Sequence, residues 1–60
     1  MSRFAIRVDS ESAPQRYISP TGAPVYTREE AAVWADKKDA EANIGMVERL
    51  GYSGVCVVEV

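Results

Sequence analysis

Residues 36–51, Asp-Lys-Lys-Asp-Ala-Glu-Ala-Asn-Ile-Gly-Met-Val-Glu-Arg-Leu-Gly, decide how this chain folds. Projected at about 100° per residue, Ala40, Asn43, Ile44, Met46, Val47 and Leu50 share one broad arc, while Lys37, Lys38, Glu41, Glu48 and Arg49 occupy the other. Asp36 offers a carboxylate oxygen to the free N–H groups of a first turn. Asp39, at the third helical position, places negative charge near the positive end of the helix dipole. Gly51 supplies the left-handed residue on which helices commonly end. The pattern predicts one amphipathic helix over residues 37–50, and its apolar arc requires a second layer to bury it.

That layer lies in the flanks. Residues 3–9 (RFAIRVD) alternate strictly, with Phe4, Ile6 and Val8 on one side and Arg3, Ala5 and Arg7 on the other, which predicts a half-buried strand. Residues 10–15 (SESAPQ) read as a loop. Residues 16–19 and 25–27 are short β-prone stretches around Pro20-Thr21-Gly22-Ala23-Pro24, so a hairpin or broad turn is expected. Its strands should be short and near an edge, because proline cannot donate to a ladder. Thr27 and Glu30 fit a capping box opening a short helical turn at about 28–32. After Gly54, the β-branched residues 54–60 predict a strand beside 3–9. Their alternation sets Cys56, Val58 and Val60 on the face of Ile6, and Val55, Val57 and Glu59 on the other. The expected fold is thus α+β: a single domain over 1–60, with a small, mostly antiparallel sheet and one main helix packed on one face.

Composition narrows the chemistry. Of the 60 residues, 47% are hydrophobic, but eight of these are alanines, so the core is small and self-association is an expected supplement to it. Cys56 is the single cysteine and there is no histidine, so neither an intramolecular disulfide nor a structural zinc site can be built. Cys56 in a valine-rich strand reads as a buried structural thiol rather than a nucleophile. The carboxylate pairs Glu29–Glu30 and Asp36–Asp39 fall at helix starts, where the dipole accounts for them. Gly51-Tyr52-Ser53-Gly54 joins helix to strand, the reverse of the order in phosphate loops. No catalytic residues and no cofactor are expected.

The net charge is −2, and every basic residue has acidic neighbours along the chain, so no cluster suited to a nucleic-acid backbone is present. Tyr17, Tyr26 and Trp34, without surrounding bases, read as core or hairpin packing. No segment has the length and apolarity of a membrane span or a signal peptide, which implies a cytoplasmic setting.

Two surfaces stand out. If the helix covers the face bearing Phe4, Ile6, Val8, Cys56, Val58 and Val60, then Ala5, Val55 and Val57 lie uncovered. Arg3, Arg7 and Glu59 flank them and Tyr17 lies beside them. Ala5, Arg7, Tyr17, Val55, Val57 and Glu59 form the first candidate interface, with an Arg7–Glu59 pair across an ordinary open face as the plainer reading. The second is the polar helix face at Glu41, Gly45 and Glu48. Gly45 costs about 1 kcal/mol relative to alanine in mid-helix, which close approach of another chain would explain. Asn43, within the apolar arc, needs hydrogen-bond partners if buried.

The stretch Glu30-Ala31-Ala32-Val33-Trp34-Ala35-Asp36-Lys37-Lys38-Asp39-Ala40-Glu41 resembles a pattern in small orphan proteins of tailed phages and prophages. There, a Glu-Ala segment precedes an aromatic residue, a capped helix opens with an Ala-Glu pair, and a valine-rich strand closes the chain. The likeness runs loosely from Tyr17 to Val60. Trp34 stands where phenylalanine is more usual, and the Pro-Thr-Gly-Ala-Pro turn lies outside the pattern. The group shares no catalytic residues. The resemblance implies a protein that binds a host protein or complex, as inhibitors of CRISPR and other defence systems do. Two other roles fit the sequence: a self-assembling accessory domain that buries Val55 and Val57 against a second copy, and a protein sequestering a small ligand such as a nucleotide between subunits near Tyr17, Tyr26 or Trp34.

Overall fold

A computed structural model describes residues 2–11 and 13–60; Ser12 of the expected 10–15 loop lies outside the described residues. The elements run β1 (Phe4–Val8), β2 (Arg16–Ile18), β3 (Pro24–Val25), α1 (Lys37–Ala42), α2 (Ile44–Arg49) and β4 (Cys56–Glu59). The strands form one antiparallel sheet in the order β3-β2-β1-β4, with the helical segments on one face, so the expected α+β fold holds.

Local chemistry explains most boundaries. The Asp36 carboxylate accepts from Lys38 N–H at 3.0 Å, fixing the helix start, with Asp39 in the first turn. Gly51 has φ +100° and closes the other end, its N–H reaching the Glu48 carbonyl at 3.0 Å. The β2–β3 hairpin is shut by reciprocal bonding: Ser19 N–H donates to Ala23 O at 2.9 Å, and Ala23 N–H donates to Ser19 Oγ at 3.1 Å. Pro24 sits on the sheet's edge, where the missing donor is tolerated. At 28–32 there is a hydrogen-bonded turn in which Glu30 and Ala31 N–H reach the carbonyls of Thr27 and Arg28. The reciprocal capping box does not form there; Thr27 Oγ1 donates directly to Glu30 Oε1 at 3.1 Å.

Two expectations are corrected. The helix is bent at Asn43, where the backbone N–H turns to Ala40 O, 3.0 Å away. The Asp39 carbonyl, which that N–H would serve in a regular α-helix, instead accepts from Asn43 Nδ2 at 2.8 Å. Asn43 therefore finds its partner within its own helix. Beyond the bend the broad arc is not buried as a unit: Ala40 and Val47 are fully buried, while Met46 is 51% and Leu50 55% exposed.

The second correction is the phase of β4. Ile6 lies opposite Val57, Ala5 opposite Val58 and Arg7 opposite Cys56. Directly opposed residues share a face, so Val57 is on the core side and Cys56 and Val58 on the other. Cys56 is accordingly exposed, not a buried structural thiol. Alternation could not set this phase because both sides of the strand are valine-rich, and Glu59, the one polar marker, lies exposed at its end. The core comprises Ile6, Val8, Ala13, Ile18 and Val47, with Trp34, Ile44, Tyr52, Val55 and Val57 packed against it. Among the described residues, no buried side-chain polar atom lacks a partner, and no helix is long and apolar enough to cross a membrane.

Gly54 combines φ +63° with an approach so close that a Cβ there would meet Asp9 O at 3.0 Å, whereas a Cβ at Gly45 would meet nothing within 4 Å. Gly54→Ala is therefore expected to destabilise by about 1–3 kcal/mol and Gly45→Ala to stabilise by about 1 kcal/mol, both read by urea denaturation. Asn43→Asp, which replaces the Nδ2 donor to the Asp39 carbonyl with a carboxylate oxygen, is expected to lose about 0.5–1.5 kcal/mol in the same assay.

Candidate functional site

Ala32 to Trp34 build a feature that the sequence pattern does not announce. Phe4 and Trp34 exchange two backbone hydrogen bonds of 2.8 Å each, and Ala32 N–H donates to Ile18 O at 2.9 Å. The segment is thereby held against the sheet as an extended strip. Between this strip, the start of the hairpin turn and α2 lies a groove of about 490 Å³. Ile6, Ile18 and Val47 form its floor, Trp34 and Ala31 one wall, and Met46 its open side. Val33, 42% exposed, adds apolar surface at the mouth.

The polar side chains along it are already engaged. Ser19 Oγ is tied into the hairpin turn with Thr21 Oγ1 and Ala23 N–H, and the Asn43 carboxamide serves the Asp39 carbonyl. What remains is apolar contact area around one indole and one flexible thioether, suited to receiving an apolar group. Among the described residues, no three His, Cys, Asp or Glu side chains gather as a metal site.

The first candidate interface is divided between the two sheet faces. Ala5, Arg7 and Tyr17 fall on the face away from Ile6, where the row Val25–Tyr17–Arg7–Cys56 crosses all four strands. Val55 and Val57 pack toward the core instead, and Glu59 lies opposite Phe4 on that same side. An Arg7–Glu59 pair is excluded by this geometry. The open face is therefore lined by Ala5, Arg7, Tyr17, Val25, Cys56 and Val58, of which Ala5 is fully buried. Glu41, Gly45 and Glu48 are all exposed on the helix.

Of the aromatic residues considered for a ligand, only Trp34 lines the groove. Tyr17 is on the far face, and Tyr26, 73% exposed, lies under the Arg16 guanidinium at 3.8 Å, closing the hairpin end. The readable signal for the groove is the excess of the helix's apolar arc over what a single helix–sheet contact needs, with Met46 and Leu50 as the surplus. Leu50 leans instead over the hairpin turn, its Cδ1 lying 3.3 Å from where a Cβ on Gly22 would stand. Compared with protein-family models, curated proteins and solved structures, the chain matched none.

Neighbouring residues of α2 separate groove from core. Met46→Ala is expected to change stability by no more than about 0.5 kcal/mol, and Val47→Ala, at a fully buried site, to cost about 2 kcal/mol. Chemical denaturation of the two variants measures the contrast.

Proposed function

We propose that this chain is a non-enzymatic binding protein, a phage-encoded type of inhibitor that acts in the host cytosol by contact with a host protein or defence complex. The observation that carries the reading is the apolar groove beside Trp34, bordered by exposed Met46 and Val33 and with its polar neighbours already hydrogen-bonded. A protein of this size has little apolar surface to spare. Leaving Met46 and Val33 exposed around a pre-formed concavity favours insertion of a partner's apolar side chain as a central anchor. The resemblance of residues 30–41 to small phage orphan proteins supports a host protein as that partner. A small apolar ligand is the second reading, favoured by a groove volume within the range of small-molecule sites.

Expressed in bacteria carrying an active CRISPR or other defence system, the chain is expected to raise the plating efficiency of a targeted phage. Met46→Glu should abolish the gain while the purified variant keeps its melting temperature. Unchanged plating across the defence systems tried overturns the inhibitor reading. A melting temperature raised by a metabolite in the parent chain, and not in Met46→Glu, selects the small ligand instead.

A further inference from the structure

We propose that β4 is a self-pairing edge, through which two copies join antiparallel, Val57 opposite Val57 of the second copy, into one continuous sheet. The inference does not depend on the groove. Phe4 spends both its N–H and its C=O on Trp34, so neither points at Glu59, its partner across β1 and β4. Phe4–Glu59 is thus a non-hydrogen-bonded pair, and the N–H and C=O of Glu59 point away from β1. Alternation gives Val57 the same outward direction, while Val60 N–H turns inward to Arg3 O at 2.8 Å. Among the described residues, no backbone group pairs with these outward donors and acceptors.

The sheet's two edges are not alike. β3 is two residues long and begins with Pro24, a blunted edge. β4 carries Cys-Val-Val-Glu with no proline, lysine or bulge, which is an open template for another strand. Its own sequence is the complement that fits. Glu59 is the strand's one charge and sits at its end. Parallel pairing would stack Glu59 on its counterpart, whereas antiparallel pairing about Val57 sets it opposite Val55.

Face and hydrogen-bond parity agree in this register. Val57 meets Val57 on the core side, extending the Ile6–Val57 row from one copy to the other. On the open side Cys56 meets Val58, joining each copy's Arg7–Cys56 row to the other copy's Ala5–Val58 row. Exposed Cys56 gains a neighbour, and the valine-rich edge is covered by its own kind.

Sedimentation velocity from micromolar to millimolar concentration tests the pairing. The chain is expected to dimerise, and a synthetic chain N-methylated at Val57, which loses only an outward N–H, to sediment as a monomer with unchanged far-UV circular dichroism. Cross-linking tests the register without requiring that analogue to fold. Val58→Cys should oxidise rapidly to a covalent dimer through Cys56 of the second copy, because a non-hydrogen-bonded pair brings Cα atoms to about 4.5 Å. The parent chain, whose two Cys56 residues are offset, should oxidise slowly, and Met46→Glu should leave the dimer intact. A parent chain monomeric at every concentration overturns the proposal. So does a dimer indifferent to N-methylation, or a Cys56–Cys56 cross-link as fast as that of Val58→Cys.

Discussion

The β1–β4 pairing is the constraint on which the other parts depend. By setting Ile6 beside Val57 it creates the apolar strip on which the bent helix lies, and α1 packs against these same two strands. Ala40, with only a methyl group and fully buried, lets the backbone of α1 come close. Val47 then reaches the core, and Trp34 is drawn in from the far side by its exchange with Phe4. If β4 slipped by one residue, Cys56 and Val58 would turn inward and the helix would meet the wrong side chains of β4. Gly54, pressed against Asp9, opposes that slip at the strand's start, where a side chain would not fit.

Features written in neighbouring residues were legible in the sequence. Asp36 and Gly51 mark the helix ends because capping is settled within a turn, and the two prolines confine the hairpin for equally local reasons. Features decided across the fold were not. The phase of β4 depends on which valine row meets Ile6, and Val55 and Val57 compete nearly evenly with Cys56, Val58 and Val60 for that place. The bend at Asn43 turns on whether its carboxamide or its backbone N–H serves the Asp39 carbonyl, a choice to which hydrophobic periodicity is blind. The 32–34 strip was not legible either: Ala32 falls in the expected helical turn at 28–32, yet Ile18 and Phe4, both distant in sequence, recruit the backbone of Ala32 and Trp34 into the sheet.

The candidate site inherits this division. Ile6 and Val47 of its floor were legible as core, whereas Ile18 follows from the hairpin's register, and the wall and mouth depend on the strip and on the bend that leaves Met46 outside. Of the residues picked out for the open sheet face, Ala5, Arg7 and Tyr17 do lie there because β1 alternates unambiguously. Val55, Val57 and Glu59 do not, since they follow the phase of β4. One ambiguous strand therefore separates a surface that was half anticipated from a groove that was not.

Pairing the first strand with the last also governs the order of events in folding. The helix and the β2–β3 hairpin close over short stretches of chain, whereas the central contact must close the whole loop from Arg7 to Cys56. The entropy of that closure is regained only when Ile6 and Val57 meet. A growing chain on the ribosome thus has no complete core to bury until residues 56–59 have left the exit tunnel. Until then, β1 lacks the strand that fills half of its ladder.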